Sequence, residues 1–233
     1  MDRITRKELK QDRFAQEVGH TVEFLGEHRR QAIRIGIIAV AIILLVVGVL
    51  AWRRYQQTNR AVALSAAFEI HNGSVGANPY SFRTFNTAEE KRKAELQAFG
   101  DLAAKYPGTS EGVIAEYYLG VLAADQGNLG EAEKHFKVVV DEGDNNYASL
   151  ARLTLADLYQ AQNKPAEAES LLRKVVDKPS DFVSKEQAQI ALARVLMKTK
   201  PDEARKLLEP LRTERSAVSR AAITLLGDLS NQR

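Results

Sequence analysis

The chain has 233 residues, 45% of them hydrophobic and 27% charged, which is enough apolar material for a folded core and excludes a disordered chain. It holds no cysteine, so a disulfide scaffold and a thiolate zinc site are excluded. The net charge of +3 is shared out so that residues 35–233 carry only +1, without the concentrated basic face of a nucleic-acid-binding domain.

Ala, Leu, Glu, Lys, Gln and Arg dominate, while Gly and Pro fall in scattered single positions, and this composition predicts an all-α fold. Residues 1–31 read as an amphipathic cytoplasmic tail. Thr5 with Glu8 fits a capping box, and Ile4 on Leu9 a hydrophobic staple. Phe14, Val18, Val22 and Leu25 form one stripe of a helix, read as lying on the inner leaflet; the alternatives are a loosely ordered tail or a helix docking on a partner.

Residues 32–52 read as a transmembrane helix. From Ile35 to Trp52 no charge or strongly polar group occurs, and at about 1.5 Å per residue such a stretch is long enough to cross a bilayer core. Arg34 is placed to snorkel at one border, and Trp52, Arg53, Arg54 and Tyr55 to anchor the other. The long apolar stretch followed by Trp-Arg-Arg reads as an uncleaved signal anchor rather than a cleaved signal peptide. Near flanks are matched in charge: Arg29, Arg30 and Arg34 before the span, Arg53, Arg54 and Arg60 after it. The eight basic residues of residues 1–34 favour a cytoplasmic N-terminus and an extracytoplasmic domain over 53–233.

That domain is internally repetitive. The segment from Gly127 to Val139 lies on the segment from Asn163 to Val175 at an offset of 36, and Pro201 to Leu208 supplies a third copy. Large apolar residues recur at Phe99, Phe136, Leu172 and Leu208. A period of this length means stacked helical hairpins, each burying its apolar face against the next. The predicted helices are 53–70, continuing the membrane helix, then 88–106, 110–126, 130–142, 147–162, 165–177, 182–199, 201–212 and 216–230, the last capping the stack. Gly73 to Thr87 reads as a long loop, and Thr109 or Ser110 as a helix cap.

Leu119, Gly120, Gly127, Ala132, Phe136 and Val139, and then Leu155, Ala156, Tyr159, Ala168, Leu172 and Val175, resemble the tetratricopeptide repeat. The repeat's early Trp is absent and the third turn is one residue short. The resemblance implies one transmembrane helix followed by a tetratricopeptide-like right-handed α-solenoid of helical hairpins. In the repeat register its groove faces are Tyr117, Val121 and Asp125, then Leu153, Asp157 and Gln160, then Ile190, Arg194 and Met197, an apolar and weakly charged set suited to unfolded chains. The order of basic tail, single span and degenerate repeats is similar to the YfgM-like ancillary subunits of the bacterial Sec translocon. The stretch Phe99 to Val139 also resembles repeats of cell-envelope proteins such as those of the Tol-Pal system. The translocon resemblance implies a bacterial inner-membrane protein with a periplasmic domain that meets translocon subunits, exported proteins and chaperones; the alternative is a structural envelope scaffold docking one fixed partner.

No catalytic constellation is expected. Gly108-Thr109-Ser110-Glu111-Gly112 matches G-x-S-x-G but follows a helix instead of a strand, and the later His135 lies on a repeat helix. His20, His28, His71 and His135 lack metal spacing, and Asp141 to Asn146 reads as an inter-repeat turn without the closing Glu of a calcium loop. No phosphate-binding or dinucleotide glycine pattern is present. The expectation is a protein-binding chain with no cofactor, metal, nucleic acid or small-molecule substrate.

Overall fold

The computed structural model describes residues 29–78, 80–213 and 217–231. The expected capping box at Thr5 and Glu8, the tail stripe, and His20 and His28 lie outside them. The chain divides into two compact units, one ending at Thr58 and the other running from Asn59 to Arg233. Among the described residues, nine α-helices carry the fold.

The first helix, α1 (Arg29–His71), supplies the described part of the first unit and the start of the second. Every large apolar side chain from Ile33 to Trp52 is exposed; Ile35 and Leu45 each keep 67% of their surface open. Each such side chain, left in water, forfeits about 1.5–3 kcal/mol relative to burial. This helix is long and apolar enough to cross a membrane. Arg34, Trp52, Arg53, Arg54 and Tyr55 lie on it and are exposed.

In the second unit, α1 ends at His71 and the chain enters the segment expected to be a loop. It contains one short departure from that expectation: β1 (Ser74–Val75) pairs in parallel with β2 (Thr84–Phe85), Ser74 opposite Thr84 and Val75 opposite Phe85. Burial of the Phe85 ring holds the bridge in place. There follow α2 (Ala88–Lys105), α3 (Ser110–Asp125), α4 (Leu129–Glu142), α5 (Asn145–Ala161), α6 (Pro165–Asp177), α7 (Lys185–Leu196), α8 (Pro201–Leu208), a 3-10 helix (Glu209–Thr213) and α9 (Ala217–Asn231). From α2 onward each helix packs on its chain neighbour, and the first helices of successive hairpins, α3, α5 and α7, stand side by side.

The repeating register is a packing register. Phe99, Phe136, Leu172 and Leu208 occupy equivalent places in the second helices α2, α4, α6 and α8, and all four are 0% exposed. One turn earlier, Ala132, Ala168 and Ala204 are also fully buried, their small size letting helices close on one another. At Gly120 of α3 a Cβ would stand 2.8 Å from the Phe136 ring, so the two helices approach too closely there for a larger residue. The first hairpin breaks the pattern. At the position matching Ala132 it carries Glu95, 6% exposed. Its Oε1 lies 3.0 Å from His71 Nδ1 and 3.8 Å from Lys91 Nζ, so the buried carboxylate is not left alone.

Local signals fix the helix ends. Thr87, Thr109 and Asp144 cap α2, α3 and α5 by accepting from the backbone N–H of Glu90, Gly112 and Tyr147. Gly127 and Asn163, 36 residues apart, turn the chain between paired helices at positive φ, 75° and 58°. Two expected helices are shorter. The seventh starts at Lys185 instead of 182 because Ser184 and Gln187 form a reciprocal capping box. The eighth gives way to a 3-10 turn after Leu208, since Pro210 has no N–H for a further α-helical bond. α9 buries Ala222, Leu225, Leu226 and Leu229 and packs on α7, α8 and the 3-10 helix.

Neighbouring second helices are also tied by charge. Glu169 on α6 accepts from Lys200 at 2.7 Å and from Arg173 on its own helix, and Arg173 reaches Glu203 of α8 at 2.7 Å. The hydrogen bond from Lys200, followed by that from Arg173, holds the Glu169 carboxyl below its ordinary pKa against the opposing effect of burial.

Truncating Phe136 to Ala should cost about 2–5 kcal/mol, whereas Tyr80→Ala, at a fully exposed loop position, should stay within about 0.5 kcal/mol; urea unfolding of the two variants checks the difference. Because the folded pKa of Glu169 is depressed, its stabilisation is present above the unfolded carboxylate value and is lost as pH falls through the folded one. Melting temperatures of wild type and Glu169→Gln should differ at pH 7, by the equivalent of about 0.5–1 kcal/mol, and converge in strong acid.

Candidate functional site

The nine positions expected to line a groove lie on α3, α5 and α7, Met197 being the residue that caps the end of α7. Tyr117 and Val121 are half-buried on α3, and Asp125, the last residue of that helix, is exposed. On α5, Leu153 and Gln160 are half-buried and Asp157 is exposed. Of Ile190, Arg194 and Met197 only Arg194 is exposed. Ile190 and Met197 are each 9% exposed and belong to the hydrophobic core, where they contribute packing instead of open surface. The open part of this face therefore centres on α3 and α5, with Arg194 at its edge.

Two of these helices are joined across the face, the Tyr117 hydroxyl lying 3.5 Å from Thr154 Oγ1. Although Asp157 is solvent-accessible, the walls around it strip water from its carboxyl and raise its pKa, and the nearby Arg194 charge pulls it partly back down. The Asp157 carboxylate and the Arg194 guanidinium thus lie on adjacent first helices, near enough for the charge of one to act on the other.

Tyr117 also enters a larger feature. Its ring meets Tyr118 at 5.7 Å, Phe136 at 5.6 Å and Tyr147 at 5.9 Å between centroids. Tyr118 stacks on Phe99 at 4.9 Å and meets Phe68 and His71 of α1 edge-on. At the other end Tyr147 meets Phe182 edge-on at 5.3 Å. The rings run without a break from α1 to the loop before α7. Burial raises the pKa of the Tyr118 and Tyr147 hydroxyls, with the Tyr117 neighbour adding to the rise at both. Sequence reasoning placed Phe99 and Phe136 in the packing register and Tyr117 in the groove, and missed Tyr118, Tyr147 and Phe182, which do not recur on the repeat period.

Ser110, in the G-x-S-x-G match, is the first residue of α3 and sits in a capped helix turn. His135 Nδ1 lies 2.6 Å from Glu116 Oε2, and His71 is engaged with Glu95. Among the described residues no group of three or more His, Asp or Glu side chains is placed to hold a metal ion.

A profile of the tetratricopeptide repeat-like domain matches residues 30–168 and again residues 141–230. The chain belongs to this family. The match begins inside α1, so the apolar helix falls within the matched region, and the two overlapping matches follow the internal repetition. Comparison with curated proteins and with solved structures returned no significant match. Tetratricopeptide-like repeats are protein-interaction modules, typically without catalysis, and their stacked hairpins expose an extended surface lined by first helices.

Replacing Arg194 by Met removes the one charge that lowers the Asp157 pKa, so that carboxyl should titrate at a higher pH than in wild type. Carboxyl-carbon NMR titration of the two proteins checks the direction.

Proposed function

We propose that this chain is a membrane-anchored protein-interaction scaffold whose repeat domain, residues 53–233, is extracytoplasmic and contacts exported proteins or chaperones beside the Sec translocon. On this reading residues 1–31 form a cytoplasmic tail, 32–52 span the bacterial inner membrane, and Arg34 with Trp52, Arg53, Arg54 and Tyr55 sit at its borders. The observation that carries the scaffold reading is the face of α3 and α5, where Tyr117, Val121, Leu153 and Gln160 are only half-buried around the exposed Asp125 and Asp157. Such a surface offers apolar contact and few fixed charges, which suits many extended segments better than one rigid ligand. The wholly exposed apolar side chains of α1 support the membrane anchor. Translocon proximity is supported by the order of basic tail, span and degenerate repeats.

Alkaline phosphatase fused after Arg233 in a bacterial host should be active, because that enzyme folds only outside the cytoplasm. An inactive phosphatase together with a fluorescent cytoplasmic reporter at the same site would overturn the orientation and the exported-client reading. Photo-crosslinkers at Val121 and Leu153 should then capture translocon subunits and a variety of exported chains. Capture of one stoichiometric partner would instead assign a structural envelope scaffold.

A further inference from the structure

The aromatic series ends at a ring that the fold holds open. Phe182 keeps 48% of its surface exposed, although its neighbour Val183 is buried in the core. Its loop is not free to carry the ring elsewhere. Asn145 Nδ2 donates to the carbonyl of Pro179 at 3.0 Å, the Asp181 N–H donates to Asn146 Oδ1 at 3.2 Å, and the hydroxyls of Ser149 and Ser180 are hydrogen-bonded to each other. Phe182 is thus fastened to the first turn of α5, edge-on to Tyr147, whose ring leads on to Tyr117 of α3. A large apolar ring kept in water on an anchored loop forgoes the gain of burial, and its edge-on partner leaves ring surface free for a further group.

The charge around the strip favours one class of occupant. The segments 141–146 and 177–182, which flank Tyr147 and lead to Phe182, contain five carboxylates and a single base, Lys178. None of the five forms an ion pair among the described residues. Asp144 stands against Tyr147, accepting its backbone N–H at 2.8 Å, and Asp181 adjoins Phe182. An exposed ring leading on to half-buried ones, beside carboxylates without an ion pair, complements a cation borne on an apolar stem: the stem covers the rings and the head group meets the carboxylates. Arginine fits best, since its planar guanidinium stacks on rings and binds carboxylates in a fork.

We propose that the strip formed by Tyr117, Tyr147 and Phe182, bordered by Asp144 and Asp181, is a docking subsite for an arginine side chain in an extended segment of a partner polypeptide. The proposal rests on the scaffold reading and adds to it a chemical preference. It places this preference at the N-terminal end of α5, away from Asp157 and Arg194.

The test uses the full chain in phosphatidylcholine nanodiscs and a fluorescein-labelled peptide, Gly-Ser-Leu-Arg-Leu-Ser-Gly, with a second peptide in which citrulline, a neutral mimic, replaces arginine. Fluorescence anisotropy should show the arginine peptide binding about fivefold more tightly or better. The double variant Asp144→Asn, Asp181→Asn keeps an N-cap residue on α5 and should erase the preference, while Phe182→Ala should weaken both peptides. Equal affinity for the two peptides, binding of neither, or a preference that survives the double variant would overturn the subsite. If crosslinking at Val121 and Leu153 still captures exported chains, the scaffold reading stands without it; if that capture also fails, both fall.

Discussion

Everything in the repeat domain depends on one recurring contact: a large apolar side chain on the second helix of a hairpin pressed against small residues where helices cross. Phe136 over Gly120 shows it directly, and Leu172 and Leu208 hold the equivalent buried positions, each with a buried alanine, Ala168 or Ala204, one turn earlier on its own helix. Close-packed interiors tolerate neither a void nor an extra methylene at such points. The contact therefore sets helix separation, which in turn decides which residues of the first helices remain at the surface. The open face of α3 and α5 is the remainder left by that packing.

The same packing accounts for what was legible in the sequence. Recurrence of Phe99, Phe136, Leu172 and Leu208, with alanine one turn earlier in the last three, reports a buried register, and the start of α3 followed from its cap residue Thr109. What escaped was set by contacts between distant segments. The loop before α7 is shaped by Asn145, Asn146 and Ser149 on α5, contacts that no pattern within the loop reveals, although Ser184 with Gln187 does carry a local signal that the helix starts after Phe182. The β1–β2 bridge is two residues long on each side, too short for a periodic signal.

The functional face was legible only as a register. Extending the groove positions from α3 to α7 by period assumes that every hairpin is covered to the same depth. α7 is covered more deeply, because α9 packs on it as well as α6 and α8, so Ile190 and Met197 sink into the core while Leu153 and Gln160 at matching positions stay half-open. End effects of this kind belong to finite stacks of repeats.

Glu95 gives the stack a polarity that the other second helices lack. Where they place an alanine, the first hairpin places a carboxylate whose partners, His71 and Lys91, belong to that hairpin alone. A copy of α2 grafted into a later hairpin would bring Glu95 and Lys91 but leave behind His71, the nearer partner, and a buried carboxylate short of a partner is among the costlier faults a helical interface can carry. The repeats are consequently not interchangeable modules. Duplication or shuffling of units within this chain is open to the hairpins carrying Ala132, Ala168 and Ala204 and closed to the first, which is confined by its own chemistry to the end that follows α1.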